Sequence, residues 1–245
     1  MQTVKRWIPN IITLGNLTFG MLACWLATGK VPENLTEDFS IIDKWFYVAP
    51  ALCIFAAAIM DFLDGMVARL LHVSSELGKQ LDSLADVVSF GVAPAFIIIG
   101  YDFLGEYSFL GLLIGVFSAI RLAKFNIDTR QSESFLGLPV PSTGMIIASL
   151  PFVKPYGMLG FLVNPVVVFI LIILLCGLMV SELPLLALKF KNYGLKDNLY
   201  RYLVLMASAI ILIIFGIQGI TLVILVYVMI SVLNKFSNRK KVNVE

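Results

Sequence analysis

The sequence predicts an all-α polytopic integral membrane protein, with about eight transmembrane helices and a short N-terminal interfacial segment. Three observations carry this prediction. Of 245 residues, 59% are hydrophobic and 14% charged, whereas ordinary soluble domains carry about 25% charged residues. Mean hydropathy is +0.93, and apolar runs approaching the roughly 20 residues that a bilayer-spanning helix needs recur from end to end. Finally, the basic residues divide unevenly between alternate connections, as they do in membrane proteins of fixed orientation.

The spans are expected near residues 11–28, 46–70, 81–100, 107–124, 140–153, 159–181, 199–216 and 218–234. The fifth is short enough to be re-entrant. The opening MQTVKRWIPN has Trp7 beside Lys5 and Arg6 and no small-residue cleavage site after the first apolar run. It therefore reads as a segment lying among headgroups rather than a signal peptide. Of the 18 Lys and Arg, 15 fall at the termini and in the connections on their side. This predicts both termini, and the polar stretch described next, on the cytoplasmic side of the cell membrane. Cys24, Cys53 and Cys176 lie in apolar runs without ligand spacing and read as small buried hydrophobes. His72, the single histidine, reads as an interfacial residue. The net charge of +2 gives no reason to expect a nucleic-acid partner.

Residues 61–90, DFLDGMVARLLHVSSELGKQLDSLADVVSF, contradict their apolar surroundings. At about 100° per residue, Asp61, Asp64, Gly65 and Ala68 share one helix face. Gly78, Asp82 and Asp86 step by four and form a second row. The short polar connection between them suits an antiparallel helix pair. Each aspartate at mid-bilayer would cost roughly 2.5–3.5 kcal/mol, and one arginine, Arg69, cannot neutralise four carboxylates. Divalent cations can: hard oxygen donors from two helices suit Mg²⁺, Mn²⁺ or Ca²⁺. Two ions about 3.5–4 Å apart would match the charge. The alternative is a purely architectural ion-pair cluster.

The spacing Asp61-x2-Asp64-Gly65-x2-Ala68-Arg69-x8-Gly78-x3-Asp82-x3-Asp86 resembles the full signature of the CDP-alcohol phosphotransferase family. That resemblance implies a membrane enzyme using a divalent metal to transfer a phosphate-linked group from a CDP-linked donor to a hydroxyl, releasing CMP. It implies metal ligation by Asp61, Asp64 and Asp82, with Asp86 at the edge of the metal site and acting as general base. Gly65, Ala68 and Gly78 would leave room for the CDP moiety, and Arg69 would support the anionic donor or brace the carboxylates. Residues 1–145 would form the catalytic part of a single membrane domain, and 146–245 additional helices and a basic tail. In the first span Thr13 and Asn16 could meet the nucleotide, or serve as hydrogen-bonding glue between helices; Asn16 is taken as a candidate CDP contact.

Residues 119–144 bear on the acceptor. Arg121-Leu122-Ala123-Lys124-Phe125-Asn126, followed by Phe135-Leu136-Gly137-Leu138-Pro139-Val140-Pro141, resembles the phosphatidylserine synthase branch of that family, as does Pro9-Asn10-Ile11-Ile12-Thr13. The resemblance implies a CDP-linked lipid and L-serine as substrates, with Arg121, Lys124 and Asn126 at the acceptor. Arg121 is a planar fork suited to a carboxylate. By charge alone the cluster, which includes Arg130, would also suit a phosphorylated acceptor such as glycerol 3-phosphate or inositol phosphate, or simply snorkel to anionic lipid headgroups. Gly111 and Gly115 form a GxxxG pattern, permitting close packing inside the bundle or in a homodimer, which is common in the family. A divalent cation transporter is the reading of another class, but the carboxylates lie at one edge and no internal repeat is present.

Overall fold

The computed structural model describes residues 2–29, 41–128, 135–154, 156–186, 194 and 198–242. Helix α1 (Gln2–Ala27) and α2 (Ile41–Leu70) form the most extensively packed pair. Helix α3 (Glu76–Val87) begins at Ser75, whose side chain caps it by accepting from the Gly78 N–H at 3.0 Å, satisfying one of the free donors of the first turn. It runs through a π-helical turn, Val88–Val92, into α4 (Ala93–Gly100). Pro94 has no N–H to offer the carbonyl four residues back, a common cause of such an irregularity. The wide turn lets Ser89 face α1 while Gly91 faces α5 (Leu112–Ile127). Both approaches are backbone-close: a Cβ on Gly20 would lie 2.8 Å from the Ser89 Cα, and one on Gly91 would lie 2.8 Å from the Ser118 Cβ.

Helix α6 (Val140–Ser149) packs against α2, α4 and the π turn, and α7 (Pro165–Val180) against α5. Between α5 and α6, β1 (Phe135–Leu136) pairs antiparallel with β2 (Pro184–Leu185), Phe135 opposite Leu185 and Leu136 opposite Pro184. Gly137 sits at φ +73°, where a Cβ would lie 2.7 Å from the Ser181 carbonyl oxygen. The Leu138 N–H then donates to the Leu178 carbonyl at 3.0 Å. The Gly-Leu-Pro segment is thus strapped to the end of α7. Helices α8 (Leu199–Phe215) and α9 (Ile220–Val242) are joined by a short turn at Gly216–Gly219, and α9 docks on α6 through Ser149 and Thr221, 2.8 Å apart. The core runs through Ile54, Phe90, Ile97, Ile146, Ile172 and Met179. Large apolar side chains such as Trp25, Phe62 and Ile213 point outward, as a lipid-facing surface requires.

The helical membrane architecture follows the sequence expectation, but the span count does not follow from helix length. Among the described residues, five stretches are long and apolar enough to cross a bilayer: Trp7–Ala27, Trp45–Leu70, Glu76–Gly100, Gly105–Ile127 and Leu199–Lys235. The last contains both expected C-terminal spans, separated at Gly216 (φ +59°). The expected fifth and sixth spans are the shorter helices Val140–Phe152 and Pro165–Val180. At about 1.5 Å per residue both fall short of a roughly 30 Å hydrocarbon core. The expected interfacial segment is not separate: it is the first part of α1, continuous through Pro9. Gly111 and Gly115 are used inside the bundle, against Ile98 and Gly91 respectively.

Candidate active site

Helices α1, α2 and α3 converge on a cavity of about 350 Å³. Asp64 lines it from α2 and Asp82 from α3; Asp61, also on α2, stands beside them without lining it, and one carboxylate oxygen from each of the three lies within 4.8 Å of the others. Three negative charges this close repel strongly unless a cation compensates them. Asp64 is buried, and its Oδ2 accepts from the Thr13 hydroxyl at 2.6 Å. Thr13 itself sits over the Pro9 carbonyl, 3.1 Å away, so its side chain is fixed on both sides.

Asp86 lies one turn beyond Asp82 and outside the three-carboxylate set. It is buried, with Oδ1 accepting from the Asn16 amide at 3.2 Å. Asn16 is fully buried, and its carbonyl oxygen on the backbone accepts from Ser89 at 3.0 Å. The side-chain Oδ1 of Asn16 has no partner among the described residues. Asn16 is therefore committed to Asp86 and does not line the cavity.

The small residues divide by role. Gly65, Ala68 and Gly78 all line the cavity. A Cβ on Gly78 would lie 2.8 Å from the Asn10 Oδ1, so this glycine also lets α1 and α3 approach. At Gly65 the nearest neighbour of such a Cβ would be the Arg69 guanidinium at 4.0 Å, leaving open space. Arg69 is exposed and does not line the cavity. Among the described lining residues Lys79 alone is positively charged.

Of the acceptor candidates, Arg121 and Lys124 line a different cavity, at the end of α5. Asn126 instead donates to the Ser83 hydroxyl at 2.9 Å, joining α5 to the residue after Asp82. Arg130 lies outside the described residues.

Sequence reasoning gave no role to Asn10, Ser75 or Lys79, all of which line the aspartate cavity. The Pro9-Asn10 start and the Ser-Ser-Glu cap were visible signals for the first two; nothing in the spacing distinguishes Lys79.

The carboxylates are hard donors from two helices at ligating separation, and they fit a divalent cation. If Thr13 orients Asp64 for such an ion, Thr13→Val should weaken Mn²⁺ binding about 10- to 100-fold, the usual cost of losing an outer hydrogen bond to a ligand. Titration of detergent-purified protein by electron paramagnetic resonance would measure this; unchanged affinity would leave Thr13 with a packing role only.

A family model described as CDP-alcohol phosphatidyltransferase matches residues 6–180, which take in α1 from its second turn, all of α2 to α7 and every aspartate of the cluster. Curated relatives include a CDP-diacylglycerol–serine O-phosphatidyltransferase of Helicobacter pylori. It is 35% identical over 144 residues, covering 57% of this chain and 54% of that protein. A protein of the same name from Bacillus subtilis is 34% identical over 192 residues, covering 77% of this chain and 92% of its own length. An archaetidylserine synthase of Methanothermobacter thermautotrophicus is 34% identical over 151 residues, covering 58% and 56%. The match thus spans about half the length of the first and third relatives and nearly all of the second.

Proposed function

The chain belongs to the CDP-alcohol phosphatidyltransferase family, and from that premise we propose that it transfers a phosphatidyl-type group from a CDP-linked lipid to the hydroxyl of L-serine, releasing CMP. The observation that carries the reading is the set of three carboxylates within 4.8 Å of one another, two of which, Asp64 and Asp82, line a cavity of about 350 Å³. The relatives' names support serine as acceptor, and the archaeal relative's name extends the donor to an ether lipid.

In this reading Asp61, Asp64 and Asp82 would hold Mg²⁺ or Mn²⁺, with Ca²⁺ as an alternative. Two ions, with Asp86 at their edge, would balance the four charges. Bound there, they would supply polarisation of the pyrophosphate and offset the charge that develops on departing CMP. The nucleotide lies in the cavity along Gly65, Ala68 and Gly78. Lys79 faces its phosphates, and Arg69 sits at the rim. Asp86, held by Asn16, accepts the proton of the serine hydroxyl. The serine oxygen bonds to the lipid-bearing phosphorus while the bond from that phosphorus to the bridging oxygen breaks, and CMP leaves with that oxygen. Residues 1–145 carry the chemistry and the remaining helices support it.

The excess of basic residues in the connections on one side supports putting this site and both termini at the cytoplasmic face of the cell membrane. Eight crossings remain the proposed topology, with α6 and α7 reaching across by their flanking turns. Association as a homodimer is an expectation of the family, for which Gly111 and Gly115 are not available.

CMP release by purified protein offered L-serine, glycerol 3-phosphate or inositol phosphate, with a CDP-lipid and Mg²⁺ or Mn²⁺, tests the reading. Release with serine alone is expected. A phosphorylated acceptor giving the faster release would overturn the choice of serine.

A further inference from the structure

The 135–138 strap, tied on one side to the end of α7, is held on another side by the last helix. The Gly137 N–H donates to the Leu183 carbonyl at 2.9 Å, so Leu136 and Pro184, the next pair in the register, are opposite one another without mutual hydrogen bonds. The backbone groups of such a pair point away from the partner strand. On the β1 side the outward carbonyl of Leu136 accepts from the Arg121 Nη2 at 2.7 Å. On the β2 side the next outward residue is Leu186, and α9 takes both of its backbone groups. The Leu186 N–H donates to the Ser231 hydroxyl at 3.2 Å, and its carbonyl accepts from the Tyr227 hydroxyl at 3.0 Å. Ser231 gives its own proton to the Tyr227 carbonyl, 2.7 Å away, which leaves its oxygen free to accept. Leu186 and Ser231 are buried, and buried backbone groups without partners are costly. The two side chains therefore stand in for a third strand.

A ribbon of two two-residue strands has little stability of its own. Its place is set by what grips it, and Arg121 depends on that place. Arg121 is only 5% exposed, and its guanidinium plane is fixed by the Leu136 carbonyl and by the Phe125 ring, whose centre lies 5.4 Å away. A functional side chain is held this closely only if the groups that orient it are themselves locked. We infer that Tyr227 and Ser231 are positioning residues: by holding Leu186 they fix the strap whose Leu136 carbonyl orients Arg121. Helix α9 lies beyond residues 6–180, the reach of the family match, so this clamp is added to the family's part of the chain from outside it. Its consequence for turnover rests on the serine reading above, in which Arg121 meets the acceptor.

The test is hydrogen exchange, read by mass spectrometry on the full-length protein in detergent, for the wild type, Tyr227→Phe and Ser231→Ala. Thr221→Val is the control: it removes a bond of α9 to Ser149 of α6, 2.8 Å long, that does not involve the strap. Segments covering Gly137 and Leu138 should exchange about tenfold faster in the first two variants, the scale of a lost hydrogen bond to a buried group. They should exchange at the wild-type rate in Thr221→Val, and residues 61–86 should be unchanged in all three. Tyr227→Phe keeps the ring and carries the result should Ser231→Ala fail to fold. Wild-type exchange in Tyr227→Phe, or equal acceleration in Thr221→Val, would overturn the inference. Kinetics separate the clamp from the reaction. The KM for serine should rise about tenfold in Tyr227→Phe, with kcat and the KM for CDP-lipid within about twofold of the wild type, and Thr221→Val should move none of them. Faster exchange with an unmoved KM for serine would end the positioning role and leave the serine reading standing. The same rise in KM for glycerol 3-phosphate, in a protein that ignores serine, would keep the clamp and overturn the acceptor. Faster exchange in a protein that releases CMP with no acceptor would keep the clamp and overturn the function.

Discussion

Asp82→Asn should lower CMP release by about 1,000-fold or more, equivalent to roughly 4 kcal/mol of lost transition-state stabilisation. Asparagine keeps the shape and one oxygen but removes the charge, so the three-residue set loses a third of its attraction for a divalent ion. The same change should have the opposite effect on the metal-free protein. Asp61, Asp64 and Asp82 repel one another within 4.8 Å, and neutralising one relieves that repulsion. Thermal unfolding without divalent ions should therefore occur at the same or a higher temperature in the variant. Addition of Mn²⁺ should stabilise the wild type more than the variant, because a ligand stabilises only the state it binds. An architectural ion-pair cluster would give the reverse: loss of stability without metal, and no difference in the response to it.

Asp86→Asn should lower kcat by about 100- to 10,000-fold, the range associated with loss of a positioned general base, while leaving Mn²⁺ affinity close to that of the wild type. This split follows from position. Asp86 stands outside the three-carboxylate set, and its hydrogen bond goes to Asn16 rather than to another ligand candidate. Measuring kcat alongside a Mn²⁺ titration distinguishes the two roles that sequence reasoning left to this residue. A parallel loss of metal affinity would make Asp86 a ligand first and refute its assignment as base alone.

Much of this site's layout is legible in the sequence. The i, i+3 and i, i+4 steps that place Asp61, Asp64, Gly65 and Ala68 on one face, and Gly78, Asp82 and Asp86 on another, are local properties of a helix. The antiparallel pairing that brings these faces together is dictated by a connection of a few residues. What was not legible depends on distant partners. Asn16 and Thr13 are both polar residues of the first apolar run, and nothing in their spacing says that one meets Asp86 and the other Asp64. Arg121 and Asn126 are five residues apart, far enough around α5 to face different neighbours, so one basic-looking motif serves two places. The GxxxG pattern specified close approach but not its partner, which proved to be the π turn and α4 of the same chain. The span count failed to follow for a different reason: hydropathy runs through prolines and turns that end helices, leaving α6 and α7 shorter than the apolar stretches that contain them.

The measurement that tests the central claim most directly is the fate of radiolabelled L-serine in a reaction with a CDP-linked lipid, Mn²⁺ and the purified protein. The account predicts that label enters the lipid phase with one CMP released per serine incorporated, and that Asp82→Asn abolishes both. Label that stays in the aqueous phase while CMP accumulates, or incorporation that survives Asp82→Asn, would contradict it.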